Sequence, residues 1–311
     1  MSKKLSVLAA VVVACVVGTT AHAQGTLRVV TSTEDLASIA REVGGDRVDV
    51  TALARGYQDP HFVDPKPSFI LAVNRADLYI AVGRDLELGW LPPLITSSRN
   101  ANVQPGASGY LDVSRNVRIL EIPTGQITRA MGDVHPLGNP HYWLDPGNGR
   151  LIAAAIRDKL SELSPADAAA FAERYDDFDR RLLAAEARWD SVMAPHRGTK
   201  LVTYHRSWPN FMEHFGLEVM GYVEPKPGIP PSPLHTLQLI EEMKREAVGL
   251  IVVEPYFSLR TPEAIVNQLT GGRVLVLAPS VGGVDEVTDY IELFDYNVDL
   301  LAEALQESAG R

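Results

Sequence analysis

Short runs of apolar, mostly β-branched residues alternate along the chain with stretches in which apolar positions recur every three or four residues. That alternation predicts parallel strands covered by helices. In the first half, strands are predicted at residues 27–31, 48–52 and 78–82, with helices near 36–43 and 66–76. In the second half, strands are predicted at 200–204, 218–222, 250–253 and 274–277, with helices at 208–215, 233–245 and 262–269 and a last one over 287–307. The stretch 100–138 reads mostly as loop, with one strand at 117–122.

Between the halves, residues 165–193 are rich in Ala, Glu, Asp, Arg and Leu, contain no Gly and no Pro after Pro165, and begin with the helix-start pattern Ser164-Pro165-Ala166-Asp167. About thirty such residues make a helix on the order of 40 Å long, enough to run the length of a lobe. The predicted fold class is α/β: two lobes, each a mainly parallel sheet flanked by helices, joined by one long spine helix. The boundaries expected are 24–163 for the first lobe, 164–195 for the linking helix and 196–311 for the second lobe.

The first 23 residues stand apart. Lys3 and Lys4 precede an apolar run that ends in Gly18-Thr19-Thr20 and then Ala21-His22-Ala23. This is a secretory leader with a small-x-small cleavage site, and its apolar run is shorter than the ~20 residues of a membrane-spanning helix. The protein is therefore expected in the periplasm; Val12-Val13-Ala14-Cys15 offers the alternative of a lipid anchor through Cys15. Cys15 is the sole cysteine, so any metal site in the mature domain is built from nitrogen and oxygen. The formal charge is −10, and it becomes more negative once Lys3 and Lys4 are lost. With that acidic balance and no cluster of basic residues, no nucleic-acid partner is expected.

Of the eight histidines, His22 leaves with the leader, and three others share a setting. His61 stands in Asp59-Pro60-His61 after the strand at 48–52, His141 in Asn139-Pro140-His141-Tyr142-Trp143 before a helix opening near Gly147, and His205 at the end of Leu201-Val202-Thr203-Tyr204. Ligands of open α/β sheets bind at the carboxyl ends of strands. Glu254 obeys the same rule, ending the run Leu250-Ile251-Val252-Val253 before Pro255. A lone histidine after a strand is ordinarily a hydrogen-bonded structural residue; it is the combination that points to a metal. Three imidazoles and a carboxylate are an ordinary ligand set for zinc. His196 falls at the end of the spine, where a cation suits a helix C-terminus, and His214 and His235 read as surface or packing residues. Asp64, Asp145 and Arg206 neighbour the histidines and are candidates to orient an imidazole; for Asp145 a helix-cap role before Pro146 is the stronger claim.

These residues carry a resemblance that covers nearly all of the mature chain. Asp59-Pro60-His61 with Pro67-Ser68, Pro140-His141-Tyr142-Trp143-Leu144-Asp145-Pro146, Tyr204-His205, Glu254-Pro255 and Asp295-Tyr296-Asn297-Val298 resemble the zinc/manganese group of periplasmic solute-binding proteins that serve ABC importers. The resemblance implies two lobes joined by a long helix and an ABC importer membrane permease as partner. It also implies His61, His141 and His205 as metal-ligating positions and, from a histidine at 205, Zn2+ as cargo with Mn2+ as the alternative. A monomer is expected; a metallochaperone is a candidate partner, and the sequence is silent on whether one loads the site. Family members usually supply an aspartate soon after the last strand, yet Leu275-Val276-Leu277-Ala278-Pro279-Ser280 has none. The fourth position is left to Glu254, to Asp285 or to water. Many zinc members carry a long His/Asp/Glu-rich loop before the second histidine; here only residues 128–138 with His135 stand in that place, and His135 is read first as a solvated loop histidine, with the alternative that it meets the metal first and passes it inward.

Two other classes compete. A chelate binder would line its cleft with aromatics, and Trp90, Tyr142, Trp143 and Trp208 are available. A zinc hydrolase would keep an open metal position beside a general base, but the chain has neither a His-Glu-x-x-His motif nor a Gly-x-Ser-x-Gly elbow, so no enzyme is expected.

Overall fold

A computed structural model describes residues 25–125, 132 and 135–309. The leader, with Cys15 and the pattern at 21–23, lies outside the described residues, as does most of the short loop that precedes His135. Among the described residues no helix is long and apolar enough to cross a membrane.

The first half gives β1 (Leu27–Thr31), α1 (Glu34–Gly44), β2 (Val48–Ala52), α2 (Pro67–Arg75), β3 (Leu78–Ala81), α3 (Leu91–Ser98) and β4 (Tyr110–Asp112). Two long helices follow, α4 (Pro146–Leu163) and α5 (Ala168–Met193). The second half gives β5 (Lys200–Thr203), α6 (Pro209–Phe215), β6 (Glu218–Tyr222), α7 (Pro233–Arg245), β7 (Leu250–Val253), α8 (Arg260–Val266), β8 (Arg273–Val276) and α9 (Tyr290–Ala309). The strands form two four-stranded sheets, ordered β2-β1-β3-β4 and β6-β5-β7-β8, with every pairing parallel. β3 and β7 lie inside their sheets and are buried along their whole length, which is why they read as unbroken apolar runs.

Three expectations are corrected. No strand forms at 117–122; the sheet takes β4 instead, whose Tyr110 pairs with Tyr79. The Arg118 amide donates to Asn148 Oδ1 at 2.9 Å, so that segment is pinned to α4 and leaves the sheet. α3, opened by prolines in its first turn, is an element that the apolar pattern of this short stretch does not announce. The spine is α-helical only from Ala168, because Pro165–Asp167 forms a separate 3₁₀ turn. The remaining 26 residues span about 39 Å.

The lobes are not independent units with separate cores. One continuous cluster takes Leu36, Ile80 and Trp143 from the first half, Phe178 and Trp189 from the spine, and Phe211, Leu277 and Phe294 from the second. Each lobe adds a smaller cluster of its own, around Trp90 in the first and around Ile251 in the second. Polar bolts cross the same seam. Asp35 on α1 accepts from Ser280 Oγ at 2.5 Å and from the Val281 amide at 3.0 Å, and Trp143 Nε1 donates to the Pro279 carbonyl at 3.0 Å. Gly56 presses so closely on the Val281 carbonyl that a Cβ there would lie 1.9 Å from its oxygen. These contacts tie the two halves together along one seam.

Candidate metal centre

His61 sits in a turn beyond β2. The Asp59 carboxylate builds that turn by accepting from the His61 amide at 3.0 Å and from its Nδ1 at 2.7 Å. Trp90 Nε1, donating to the Pro60 carbonyl at 2.9 Å, fixes the backbone between them. His141 enters from the segment before α4; its amide donates to Asn139 Oδ1 at 2.9 Å, and Asn139 Nδ2 reaches the Arg206 carbonyl of the other lobe at 2.8 Å. His205 leaves β5, and its carbonyl accepts from Thr203 Oγ1 at 2.8 Å while its Nδ1 donates to Glu224 Oε2 at 2.5 Å.

The three rings face one another. Their centroids lie 5.2 Å apart for His61 and His141, 5.6 Å for His61 and His205, and 5.8 Å for His141 and His205. Among the described residues they form the one group whose ligating atoms all come within 4.8 Å of one another. A carboxylate only accepts, so Asp59 and Glu224 hold their imidazoles as the Nδ1–H tautomer and turn both Nε2 lone pairs away from themselves; that of His61 meets the Nε2 of His135 at 3.1 Å. His141 is buried, and among the described residues neither of its ring nitrogens has a hydrogen-bond partner. Burial costs a polar group dearly unless it is paired, so an unpartnered imidazole facing two others marks a place built for a ligand.

Electrostatics divides the three. Burial, with the neighbouring imidazoles adding to it, pushes His141 well below the usual histidine range. Burial would lower His205 too, but its hydrogen bond to Glu224 and the charges of Glu254, Glu224 and Asp59 more than reverse that. Asp59 loses water on burial, which would raise it, yet its contacts with His61 hold it below the usual carboxylate range.

Glu254 lies fully buried one residue past β7, outside the compact imidazole group. Burial raises its pKa against the pull of the His205 charge and of the Ser207 side chain. Asp285 is exposed on the loop before α9, and Asp64 is exposed beyond His61. Asp145 caps α4, accepting from the Gly147 amide at 2.8 Å, and its other partner is His214 rather than a member of the imidazole triangle. Arg206 pairs with Glu121 at 2.8 Å. His196 is buried in the turn after α5, and His235 donates from Nε2 to the Tyr222 carbonyl at 2.9 Å.

Glu224 is the functional residue that the sequence reading passes over. Its signal is the one that picks out Glu254: Glu224-Pro225 follows β6 as Glu254-Pro255 follows β7. His205, Glu224 and Glu254 thus leave the same ends of three neighbouring parallel strands. A cavity of about 280 Å³ opens beside this triangle, lined by Glu121, His135, His141, His205, Arg206 and Lys226 among others.

A family model for the zinc-uptake complex component A, periplasmic, matches residues 29–304. The chain belongs to this family. It is similar to the manganese ABC transporter substrate-binding lipoprotein PsaA of Streptococcus anginosus, 26% identical over 97% of this chain and 96% of the relative. It is also similar to the zinc-binding lipoprotein AdcA of Streptococcus pneumoniae, 23% identical over 92% of this chain and 57% of that relative. The solved structure of FpvC from Pseudomonas aeruginosa in complex with Mn2+ superposes with a TM-score of 0.77 at 26% identity, covering 91% of this chain and 99% of that one. The family membership bears out the resemblance read from the histidine motifs, and the two-lobed α/β fold agrees with it. The relatives' names include both zinc and manganese.

Proposed function

We propose that this protein captures Zn2+ between its lobes outside the cytoplasm and hands it to the membrane permease of an ABC importer, without transforming it. His61, His141 and His205 bind the ion, and Glu254 faces it as a buried counter-charge. The observation that carries this reading is the triangle of imidazoles drawn from both halves of the chain, two of them oriented by carboxylates and the third buried without a partner. Three nitrogen ligands favour zinc over manganese, which prefers more carboxylate oxygen. The lobes are taken as 24–163 and 196–311 with the linking helix at 164–195, acting as a monomer that a metallochaperone supplies. Asp59 and Glu224 are already committed to imidazoles, which leaves neither free as the general base a hydrolase would need.

Equilibrium dialysis of the mature chain against zinc tests the reading. One tightly bound ion is expected, lost in His141→Ala, with no turnover of ester or phosphate substrates. Binding unchanged in His141→Ala would overturn it. A second reading, capture of the ion as a small chelate, draws on the cavity beside the triangle; it would show as tight binding that requires the chelator.

A further inference from the structure

On the wall of the cavity, one carboxylate gathers side chains from both lobes. Glu121 Oε2 accepts from Asn139 Nδ2 at 2.9 Å, while its Oε1 accepts from Arg206 Nη1 at 2.8 Å and from the Tyr222 hydroxyl at 3.5 Å. Asn139 belongs to the first half of the chain, Arg206 and Tyr222 to the second. The Arg206 guanidinium lies 4.2 Å from the centre of the Tyr222 ring, so its planar fork is held from one face while it donates from its edge. Asn139 Nδ2 crosses between the lobes a second time, to the Arg206 carbonyl at 2.8 Å.

We propose that Glu121 is a positioning residue for the ion: its carboxylate locks the segment that carries His141 to the segment that carries His205. This role presupposes the metal-binding reading above and adds to it a residue outside the imidazole group. Asn139 stands two residues before His141 and accepts from its amide at 2.9 Å, and Arg206 directly follows His205. Those two imidazoles come from opposite lobes, and at 5.8 Å their rings are the most widely spaced pair of the triangle. The bolts from Asp35 and Trp143 grip the segment after β8. The Glu121 knot grips the ends of β5 and β6 instead, where His205 and Glu224 emerge.

Glu121 is held in an unfavourable backbone conformation to do this. Its φ is 50°, in the left-handed region that residues other than glycine seldom enter. Contacts on either side impose it. The Arg118 amide and carbonyl both bond to the Asn148 side chain, and the Asn139 amide donates to the Leu120 carbonyl at 2.8 Å. Gly138 passes so close that a Cβ there would lie 2.4 Å from Ile119 Cγ2. The segment is thus zipped to the chain before and after His141, and its strained residue is the one that reaches the other lobe. A partly exposed ion pair adds little to stability, whereas strain that the surroundings over-determine clusters at ligand clamps.

Stopped-flow release of zinc from the mature chain to a chelator, with Glu121→Ala, Arg206→Ala and the double variant, tests the proposal. Each single variant is expected to bind zinc roughly 10–100-fold more weakly, with most of the change in a faster release. The double variant should release zinc no faster than the faster single one, because either substitution unties the same knot. Glu121→Gln, which keeps the shape and loses the charge, should fall between the parent and Glu121→Ala. X-ray absorption should show the parent's nitrogen shell in every variant, and thermal unfolding of the metal-free variants should stay close to the parent's. Parental release rates in Glu121→Ala, or effects that add in the double variant, would overturn the positioning role. So would a scatterer lost from the shell, which would make Glu121 a ligand. Variants that unfold more easily when metal-free yet release zinc at the parent's rate would make the pair purely structural and overturn it as well. A parent that binds no zinc would instead remove the reading on which the proposal rests.

Discussion

Asn297 on α9 grips Ala278 by both of its backbone groups: the Ala278 amide donates to Asn297 Oδ1 at 2.9 Å, and Asn297 Nδ2 donates to the Ala278 carbonyl at 2.7 Å. The run from Leu275 to Ser280 is the one from which an aspartate is missing, and it is thus a fixed part of the seam. Both partners are fully buried, so truncation strands two backbone groups away from water. Asn297→Ala is expected to destabilise the protein by about 1–3 kcal/mol or somewhat more. Chemical denaturation of the metal-free protein measures this, and an effect below about 0.5 kcal/mol would show that the grip contributes little.

Asp59 and Glu224 touch imidazoles rather than the cavity, and their value lies in holding the Nδ1–H tautomer. Asp59→Ala and Glu224→Ala should each weaken zinc binding by about 10–100-fold while leaving the fold intact. Chelator competition gives the affinity, and circular dichroism checks the fold. Parental affinity in either variant would mean that its imidazole needs no such support.

The relatives' names leave the choice of metal to the ligands. A nitrogen-rich triangle predicts that zinc displaces manganese in a competition titration and that manganese does not displace zinc at comparable concentration. The reverse order would reassign the cargo.

Asp35 gives the seam between the lobes a pH dependence. Burial lifts its carboxyl from the ordinary 3.8 to about 7, against the opposing hydrogen bonds from Ser280 and Val281. A carboxyl raised in the folded state binds its proton more tightly there than in the unfolded chain. Its stabilising contribution is then complete below about pH 4 and is lost as pH climbs through about 7, with a slope of up to about 1.4 kcal/mol per pH unit. Glu87 is also lifted to about 7 by burial, so the measurement must be a difference. Denaturation midpoints of the parent and of Asp35→Asn, which keeps an acceptor for the Val281 amide, should diverge between pH 4 and 7 in favour of the variant. Parallel profiles would place the Asp35 proton elsewhere.

Much of this architecture is legible from residue pattern because parallel strands are buried on both faces and read as apolar runs. The imidazoles are legible because each ends such a run or flanks a proline. What escapes is what depends on neighbours remote in sequence. β4 escapes because a three-residue strand at the sheet edge carries no periodicity, while Val117 and Ile119 pack against the shared core and the Arg118 amide bonds to α4. The shared core escapes because nothing local distinguishes Leu36 facing its own lobe from Leu36 facing the spine. Glu224 escapes because its partner, His205, lies 19 residues away. The meeting of His135 with His61 spans 74 residues and belongs wholly to the tertiary fold.

Glu254 presents the sharpest conflict between stability and function. A fully buried carboxylate is costly to the folded chain, and at Glu254 burial outweighs the opposing pull of the His205 charge and the Ser207 side chain. The largest charge that favours it is that of His205, which the proposed reading makes a ligand. A residue that destabilises the empty protein and faces a cation site is accounted for by the cation. Replacing the carboxylate with an amide removes the charge and keeps the shape. Glu254→Gln is therefore expected to lower zinc affinity by an amount like that of other residues behind the ligands, about 10–100-fold. The same variant should not lower the thermal unfolding temperature of the metal-free protein, because a buried charge whose desolvation outweighs its partners has been removed. The nitrogen shell seen by X-ray absorption should stay as in the parent. Asp285→Asn, on an exposed loop, should change none of these quantities. If Glu254→Gln instead unfolds more easily and binds as tightly as the parent, while Asp285→Asn binds weakly, the counter-charge belongs to the loop before α9 and Glu254 is a structural residue of the second lobe.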